Sequence, residues 1–400
     1  MTYLEHSREP LRPVVDTPAA LEECLAALSA ADGPVAFDTE RAHGHRYWPK
    51  AYLLQIRREG AGTWLIDPLP FEGTDAVLGR LVTACGDAVW LIHAASQDLP
   101  CMRELGILPQ RIFDTELAAR LLGKPGAALG ALLSSELGIN LRKAHSADNW
   151  SKRPLPESWL TYAALDVDFL IELAATLTAQ LRDMGRLDWV EQECREELER
   201  YGAEPAPRVD PWRRLGGLST LRNPRQLAVA RALWLARDDI AQRRDRPPGW
   251  ILPDAAILDA ATAAKDAVPS RAEIGRLRGF AGPPGQRNLN VWLRAVDDVR
   301  AMRTEDYPAR RLASTGVPNP RSWDRIDPAA ASRWAKTRPV VDALACDLGG
   351  LQPSLVAPPQ VLQEALFHHA LPTADDLLRL GARPWQVEFL APLIAETLGA

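Results

Sequence analysis

Short apolar runs alternate with segments of helical periodicity over the first 200 residues. The runs that suit β-strands are VAFDTE (35–40), YLLQIRR, TWLIDP, AVWLIHA (88–94) and RIF. The segment EGAG at 59–62 separates two of these runs and indicates a hairpin. Helices between the strands have clear start signals, Thr17-Pro18 for the first and Asp114-Thr115 for ELAARLLG. Strands interleaved with helices predict an α/β domain with a mixed sheet.

Strand signals stop after residue 153, and the rest of the chain is predicted to be helical. Helical character is continuous over 157–200, which predicts one long helix. The Pro-rich segment GAEPAPRVDP is the clearest linker, and PARRLASTGVPNPRS separates two further helical blocks. The pattern predicts a domain over 1–203, a linker over 204–217, a helical domain over 218–302, a linker over 303–319 and a second helical domain over 320–400.

The composition is that of an ordinary globular chain, with 46% hydrophobic and 25% charged residues among 400. No apolar run approaches the roughly 18 residues of a membrane helix. The first 15 residues have no apolar stretch of the kind that marks a secretory signal. Five scattered cysteines without a CxxC pair favour a reducing compartment over a disulfide framework. We therefore expect a cytoplasmic protein that is not bound to a membrane.

Charge is unevenly distributed, although the net charge is only −5. Residues 211–320 are basic, and the segments on both sides are acidic. A basic module beside a carboxylate-rich domain is typical of nucleic-acid enzymes that use metal ions. Ordinary surface variation is an equally good explanation at this point.

Four acidic residues and one tyrosine are the strongest candidates for chemistry. Asp38 and Glu40 lie two apart on a predicted strand, so their side chains share one face. Asp98 falls in the first turn of a helix that follows a buried strand, and Tyr162 and Asp166 lie four apart on a helix. Each feature alone also has a structural explanation, as an edge-strand pair, a helix cap or a solvated helical face. Carboxylate oxygens are the ligands that Mg²⁺ and Mn²⁺ prefer.

In this order, D-x-E, a later Asp and Y-x-x-x-D resemble the DEDD exonucleases of the tyrosine-containing branch. The segments LIHAASQDL, IFDTELAARLLG and KAHSADNWSKRPLPESWLTYAALDV closely resemble ribonuclease D. The segment RNPRQLAVARALWLARDDIAQRRDRPPGWILPDAAILDAA is similar to an HRDC helical module. The resemblance covers most of residues 14–300. It implies a ribonuclease H-like α/β exonuclease domain with a mixed sheet, followed by one or two all-α HRDC-like domains, the second of them degenerate.

The resemblance also implies a catalytic set of Asp38, Glu40, Asp98, Tyr162 and Asp166. The four carboxylates would hold two divalent cations, Mg²⁺ or Mn²⁺, and the tyrosine hydroxyl would orient the attacking water. The expected substrate is RNA with a single-stranded 3′ end, with tRNA precursors the leading expectation and nucleoside 5′-monophosphates the product. A DNA exonuclease and a non-catalytic RNA-binding scaffold remain alternatives. The oligomeric state is open, with a monomer favoured.

Weaker candidates surround this set. For substrate contacts they are Thr39, Gln55, His93, Lys143, Trp150 and Arg153. A packed histidine, a sheet-bound Gln55 and a structural Trp150 are the competing explanations. A basic side chain beside an aromatic one suits a single-stranded end. For an accessory nucleic-acid face the candidates are Arg222, Arg225, Arg243 and Arg244, where intrahelical salt bridges are the alternative.

Overall fold

The strand with the paired acidic residues is central in a five-stranded sheet. We describe the fold from a computed structural model, which covers residues 3–73, 77–141, 145, 147–311 and 316–399. The strands are β1 (Val35–Arg41), β2 (Ala51–Arg58), β3 (Gly62–Ile66), β4 (Trp90–Ile92) and β5 (Ile112–Asp114), in the order β3-β2-β1-β4-β5. The β1–β2 and β2–β3 pairs are antiparallel, and β1–β4 and β4–β5 are parallel. The predicted mixed sheet is therefore confirmed.

Helices of the N-terminal region cover the sheet. They are α1 (Pro18–Ser29), α2 (Arg80–Cys85), α3 (Leu99–Glu104), α4 (Thr115–Leu121), α5 (Leu129–Leu137), α6 (Glu157–Asp168), α7 (Leu170–Asp183) and α8 (Leu187–Gly202). The Thr17 hydroxyl accepts a hydrogen bond from the Ala20 amide, and Asp114 caps α4, so both predicted helix starts are confirmed.

The single long helix predicted over 157–200 is wrong, because the structure divides this segment into α6, α7 and α8. The first break is at Phe169, whose backbone leaves the helical region at φ −120° and ψ 8°. The second break lies between α7 and α8. It includes Gly185, whose left-handed backbone (φ +68°) terminates the helix. The apolar pattern continues across both breaks, so periodicity alone does not detect them.

Seven helices form the basic middle of the chain. They are α9 (Pro224–Arg244), α10 (Pro248–Ile251), α11 (Asp254–Ala263), α12 (Arg271–Arg276), α13 (Arg278–Ala281), α14 (Pro283–Arg287) and α15 (Leu289–Ala301). Contacts α9–α11 and α9–α15 enclose a separate core that includes Trp212, Phe280 and Trp292. Asn223 starts α9 with a reciprocal capping box.

Six C-terminal helices pack with the α/β region. They are α16 (Trp323–Ile326), α17 (Pro328–Asp347), α18 (Pro353–Val356), α19 (Pro359–His368), α20 (Ala374–Arg379) and α21 (Pro384–Gly399). The chain folds into two compact units. One comprises residues 1–41, 50–204 and 314–400, and the other comprises residues 42–49 and 205–313. The bounds of the three domains and two linkers stay predictions from the sequence. No helix in the described segments combines the length and apolar character of a membrane span.

The C-terminal helices are held to α8 through Glu193. Its carboxylate accepts hydrogen bonds from Arg383 at 3.1 and 3.2 Å, from the Trp385 indole at 2.9 Å and from the Gln386 amide at 3.1 Å. Trp189 stacks on Trp385 with ring centroids 4.5 Å apart. Glu193 is only 5% exposed, so its charge depends on these donors.

We expect Glu193→Ala to destabilise this unit by about 3 kcal/mol, because it leaves a largely buried guanidinium and an indole N–H without their acceptor. Urea unfolding followed by tryptophan fluorescence measures the change. Arg338→Ala, which removes an exposed ion pair with Asp342 in α17, is the control and should cost under about 1 kcal/mol. Equal unfolding midpoints for both variants would contradict the role of Glu193.

Candidate active site

Three carboxylates converge on one face of the sheet. Carboxylate oxygens of Asp38, Glu40 and Asp166 all lie within 4.8 Å of one another. Strand alternation puts the first two on the same face of β1. Helix α6 packs against β1, β2 and β3 and brings Asp166 to them. The structure thus brings together three of the four predicted acidic residues.

Asp98 is held next to this group by a different contact. It occupies the N-cap position of α3 rather than the first turn, and its carboxylate accepts a hydrogen bond of 2.5 Å from the Thr39 hydroxyl. Thr39 is 4% exposed, so here it orients an acidic residue from the middle of β1. The Arg41 guanidinium binds the main-chain and side-chain oxygens of Gln97, beside Asp98. Sequence reasoning did not identify Arg41.

Burial and mutual repulsion shape the electrostatics of the site. Burial, with repulsion from the other three carboxylates, raises the pKa of Asp38 well above its usual range. Burial and the charges of Asp166 and Asp98 raise the pKa of Glu40 to about 9. Burial raises the pKa of Asp166 to about 7 and that of Asp98 to about 6. Four carboxylates packed in this way repel one another unless protons or cations neutralise them.

Tyr162 precedes Asp166 by one helical turn. A side-chain hydrogen bond from its hydroxyl lowers the pKa of Asp166 and so partly offsets the rise in pKa that burial causes. Burial and the nearby carboxylates raise the pKa of Tyr162 itself, so the phenol stays neutral and can donate a hydrogen bond. Its ring packs near His145, with centroids 5.8 Å apart, and near Trp150, at 6.4 Å.

The loop before α6 carries three of the weaker candidates. Trp150 is fully buried, donates its indole N–H to the main-chain oxygen of His145 and packs on Trp159. Arg153 forms a two-pronged contact with Asp67, at 2.5 and 2.7 Å, and also donates to main-chain carbonyls. These contacts match the structural explanation for Trp150 and give Arg153 a packing role. Lys143 lies outside the described residues.

Gln55 and His93 differ in whether their polar side-chain atoms have hydrogen-bond partners. Gln55 lies directly across the β1–β2 pair from Asp38 and is fully buried. Among the described residues, neither polar atom of its amide has a hydrogen-bond partner. His93 shares a hydrogen bond of 2.8 Å with the Thr115 hydroxyl, and burial lowers its pKa, which favours the neutral ring. An unsatisfied amide beside Asp38 keeps Gln55 a candidate for contacting the substrate.

Asp114 is a site-supporting residue that sequence reasoning treated only as a helix cap. Besides capping α4, its carboxylate accepts the backbone N–H groups of Ala94 and Ala95, at 3.0 and 2.7 Å. Ala94 has a left-handed backbone with φ +60°, which is unfavourable for alanine. Asp114 therefore stabilises the sharp turn that leads from β4 to Asp98.

The predicted accessory arginines lie on or just before α9 and differ in their contacts. Arg225 donates to two main-chain carbonyls. Arg243 forms an i, i+4 ion pair of 2.5 Å with Asp239, and Arg244 is exposed with one hydrogen bond to a side-chain amide oxygen. Arg222 is exposed. The side chains of three of the four thus contact their own unit.

Comparisons with known proteins agree with this architecture. A "3'-5' exonuclease" family model matches residues 13–182, an "HRDC domain" model matches 226–296, and a "3' to 5' exonuclease C-terminal domain" model matches 316–398. The chain is 34% identical to ribonuclease D of Zymomonas mobilis over 75% of its length and 76% of that protein.

Solved structures show the same fold. A protein from Bifidobacterium adolescentis is 31% identical, with a TM-score of 0.88 over 100% of this chain and 99% of that one. Escherichia coli RNase D, at 23% identity and a TM-score of 0.68, shares the fold over 100% of this chain and 99% of its own.

The α/β sheet, the helical modules and the matching models define an enzyme of the 3′-5′ exonuclease class. The predicted fold class is confirmed. Within that class, the chain belongs to the ribonuclease D family.

We expect the stability of the metal-free protein to fall as the pH rises from about 5 to about 9. Raised pKa values mean that the folded site binds more protons in this window than the unfolded chain, whose carboxylates titrate near pH 4. Each excess proton gives a slope of about −1.4 kcal/mol per pH unit. Thermal unfolding in chelator across this range measures the dependence.

Asp38→Asn should flatten that dependence and stabilise the metal-free protein at pH 8, because it removes one charge from the cluster. Glu59→Gln, in the exposed β2–β3 turn, serves as the control and should leave the slope unchanged. A slope in Asp38→Asn as steep as in the wild type would show that the carboxylates do not repel one another as described.

Asp114→Asn should loosen the turn before Asp98, because an amide offers one acceptor oxygen where the carboxylate offers two. We expect faster hydrogen exchange at Ala94 and Ala95, with a several-fold higher divalent-metal concentration for half-maximal exonuclease activity. The control Glu116→Gln weakens the ion pair with Arg120 on α4 and leaves the Asp114 carboxylate in place. Unchanged exchange at both alanines would argue against this positioning role.

Proposed function

We propose that the protein is a 3′-5′ exoribonuclease whose active site consists of Asp38, Glu40, Asp98, Asp166 and Tyr162. The observation that carries this proposal is the group of three carboxylates with oxygens within 4.8 Å and raised pKa values. Such a group is costly without a cation, and it consists only of the hard oxygen donors that Mg²⁺ and Mn²⁺ prefer. The residues therefore fit a site for divalent cations.

In this proposal, two divalent cations would be held by the four carboxylates. Asp38 would bind both cations. Glu40 and Asp166 would complete the site of one cation, and Asp98 would bind the other cation, largely through water. When bound, the cations would neutralise the charge of the phosphodiester and of the attacking and leaving oxygens. Thr39 would keep Asp98 oriented through its hydroxyl.

Tyr162 would contribute a neutral hydroxyl. Its raised pKa keeps the proton on the phenol, so it can donate to Asp166 and accept from, and thereby orient, the attacking water. Orienting the water by a hydrogen bond does not require an ionised tyrosine. Gln55, which is unsatisfied in the described structure and lies across from Asp38, would offer its amide to the substrate.

RNA with a single-stranded 3′ end is the proposed substrate, with tRNA precursors as the leading class and nucleoside 5′-monophosphates as products. Membership of the ribonuclease D family supports RNA. The name of the fold neighbour from Escherichia coli, "an exoribonuclease involved in structured RNA processing", is in line with that choice. A cytoplasmic location suits the free cysteines of the described chain, four of which are buried.

We expect the wild type to shorten a 5′-labelled, 3′-extended tRNA precursor into a ladder from its 3′ end, with Mg²⁺ or Mn²⁺ and not in chelator. Asp38→Asn should slow this reaction by roughly 1,000-fold, the equivalent of about 4 kcal/mol of transition-state stabilisation. Asp183→Asn, at the exposed end of α7, is the control and should retain wild-type rates.

A single-stranded DNA of equal length is tested alongside the RNA. Equal or faster DNA cleavage would replace the RNA assignment with a DNA exonuclease. RNA binding without cleavage by either metal would instead support a scaffold role and contradict the proposed chemistry.

A further inference from the structure

Glu197 is an acidic residue of α8 that faces the protein interior. It lies three residues after Cys194 and four after Glu193, which places it on the buried side of that helix. Its Oε2 atom is buried, and no N–H or O–H group of the described residues donates a hydrogen bond to it. A buried carboxylate oxygen without a donor is costly as an anion, so this position favours a carboxyl group that keeps its proton.

Asp114 faces this carboxyl group from the end of β5. Burial, the charge of Asp114 and a hydrogen bond shared with Asp114 raise the pKa of Glu197 to about 9. Two carboxyl groups share a hydrogen bond only if one of them carries a proton. The pair therefore holds one proton and a single negative charge at neutral pH.

The proton of the pair belongs to Glu197, because the Asp114 carboxylate already accepts four backbone N–H groups. These are the amides of Ala94, Ala95, Glu116 and Leu117. Three of them bind the Oδ1 atom of Asp114, and only the Ala95 amide binds Oδ2, at 2.7 Å. Among these contacts, Oδ2 keeps a lone pair that can accept the Glu197 proton.

Glu197 also contacts the turn that leads to Asp98. The Ser96 backbone N–H hydrogen-bonds the Glu197 carboxyl and partly offsets the rise in its pKa. The carboxyl pair thus binds three consecutive amides of residues 94–96, two through Asp114 and one through Glu197. Successive N–H groups beside a left-handed residue, here Ala94, form a concavity that suits an anion. The pair supplies that anion from within the protein.

Helix α8 is held in place around Glu197. The Cys194 sulfur accepts the Asp114 backbone N–H at 3.2 Å, and Glu193 is bound by the C-terminal helices. The helix also packs against α3, whose N-cap is Asp98. A fixed helix therefore presents Glu197 to the turn.

We propose that Glu197 is a positioning residue that acts with Asp114 to hold the turn of residues 94–96 and thereby fixes Asp98 for cation binding. The inference rests on the proposed two-cation function and extends it to α8, a helix that supplies none of the proposed ligands. Thr39 orients the Asp98 side chain, whereas Glu197 and Asp114 hold the backbone that precedes it. Loss of an outer contact of this kind typically weakens metal binding by roughly 10- to 100-fold.

Two substitutions of similar volume separate this role from packing. Glu197→Gln keeps an acceptor for the Ser96 N–H and an N–H donor for Asp114, so it imitates the protonated carboxyl group. Glu197→Leu fills the same space without either contact. Glu199→Leu, at an exposed position of α8, is the matched control.

The first measurement is amide hydrogen exchange of the full-length protein in chelator. Glu197→Leu should speed exchange at residues 94–96 by about tenfold, because the turn opens more easily without the contact. Glu197→Gln and the control should stay within about twofold of the wild type. Amides of α1 should exchange alike in all four proteins.

The second measurement is the dissociation constant for Mn²⁺, determined by calorimetry without RNA. We expect Glu197→Leu to raise it by roughly tenfold and Glu197→Gln to leave it within about twofold of the wild-type value. The RNA concentration that gives half-maximal rate at saturating Mn²⁺ should not change, because the contact orders a cation ligand and not the substrate.

Unchanged exchange at residues 94–96 in Glu197→Leu would overturn the contact with the turn, and unchanged Mn²⁺ affinity would overturn the positioning role. Equal losses in Glu197→Gln and Glu197→Leu would contradict the shared hydrogen bond. A wild type that binds no Mn²⁺ would refute the proposed two-cation function, and this inference with it. A wild type that binds Mn²⁺ and cleaves RNA, with variants that behave alike, would refute this inference alone.

Discussion

The repulsion among Asp38, Glu40, Asp98 and Asp166 is the constraint on which the site depends. Strand β1 supplies two carboxylates on one face, and α6 and the turn after β4 each supply one more. Burial and like charge raise the pKa values of these carboxylates, and contacts from Tyr162, Thr39 and Arg41 offset the rise only in part. The surrounding fold must therefore hold the carboxylates in place, at a cost in stability that function explains.

The restraint on α6 comes from its C-terminal end. Asp168 is fully buried, accepts the Arg8 backbone N–H at 2.8 Å and lies 3.9 Å from the Arg57 guanidinium of β2. Arg57 also donates to Glu9 and Thr63, both at 2.9 Å. A polar network thus ties the helix that bears Tyr162 and Asp166 to the sheet. Asp114 and Thr39 do the same for the turn that bears Asp98, so the two acidic residues outside β1 each have their own structural support.

Local patterns predicted the strands, a mixed sheet and two helix starts, whereas the grouping of the four acidic residues followed from the resemblance to the DEDD exonucleases. Period-two alternation puts Asp38 beside Glu40, and the four-residue spacing puts Tyr162 near Asp166; both relations depend only on neighbours in sequence. The long-range polar contacts were not predictable in this way. From the sequence, Asp114 is predicted only as a helix cap, because its other partners lie 19 and 20 residues away. Arg153 is predicted only as a basic group that could contact substrate, because Asp67 lies 86 residues away. The breaks within 157–200 were also missed, since the apolar pattern continues through them.

The 42–49 segment follows β1 in sequence, yet the structure groups it with the helical unit of 205–313. Tyr47 donates to Asp238 and receives a hydrogen bond from Gln242, and the Tyr47 and Trp48 amides bind Asp245. These contacts, with the Arg46–Asp245 ion pair, hold the segment to the C-terminal end of α9. The segment that directly follows β1 in sequence is therefore fixed by polar contacts with residues about 190 to 200 positions away, which no single motif encodes.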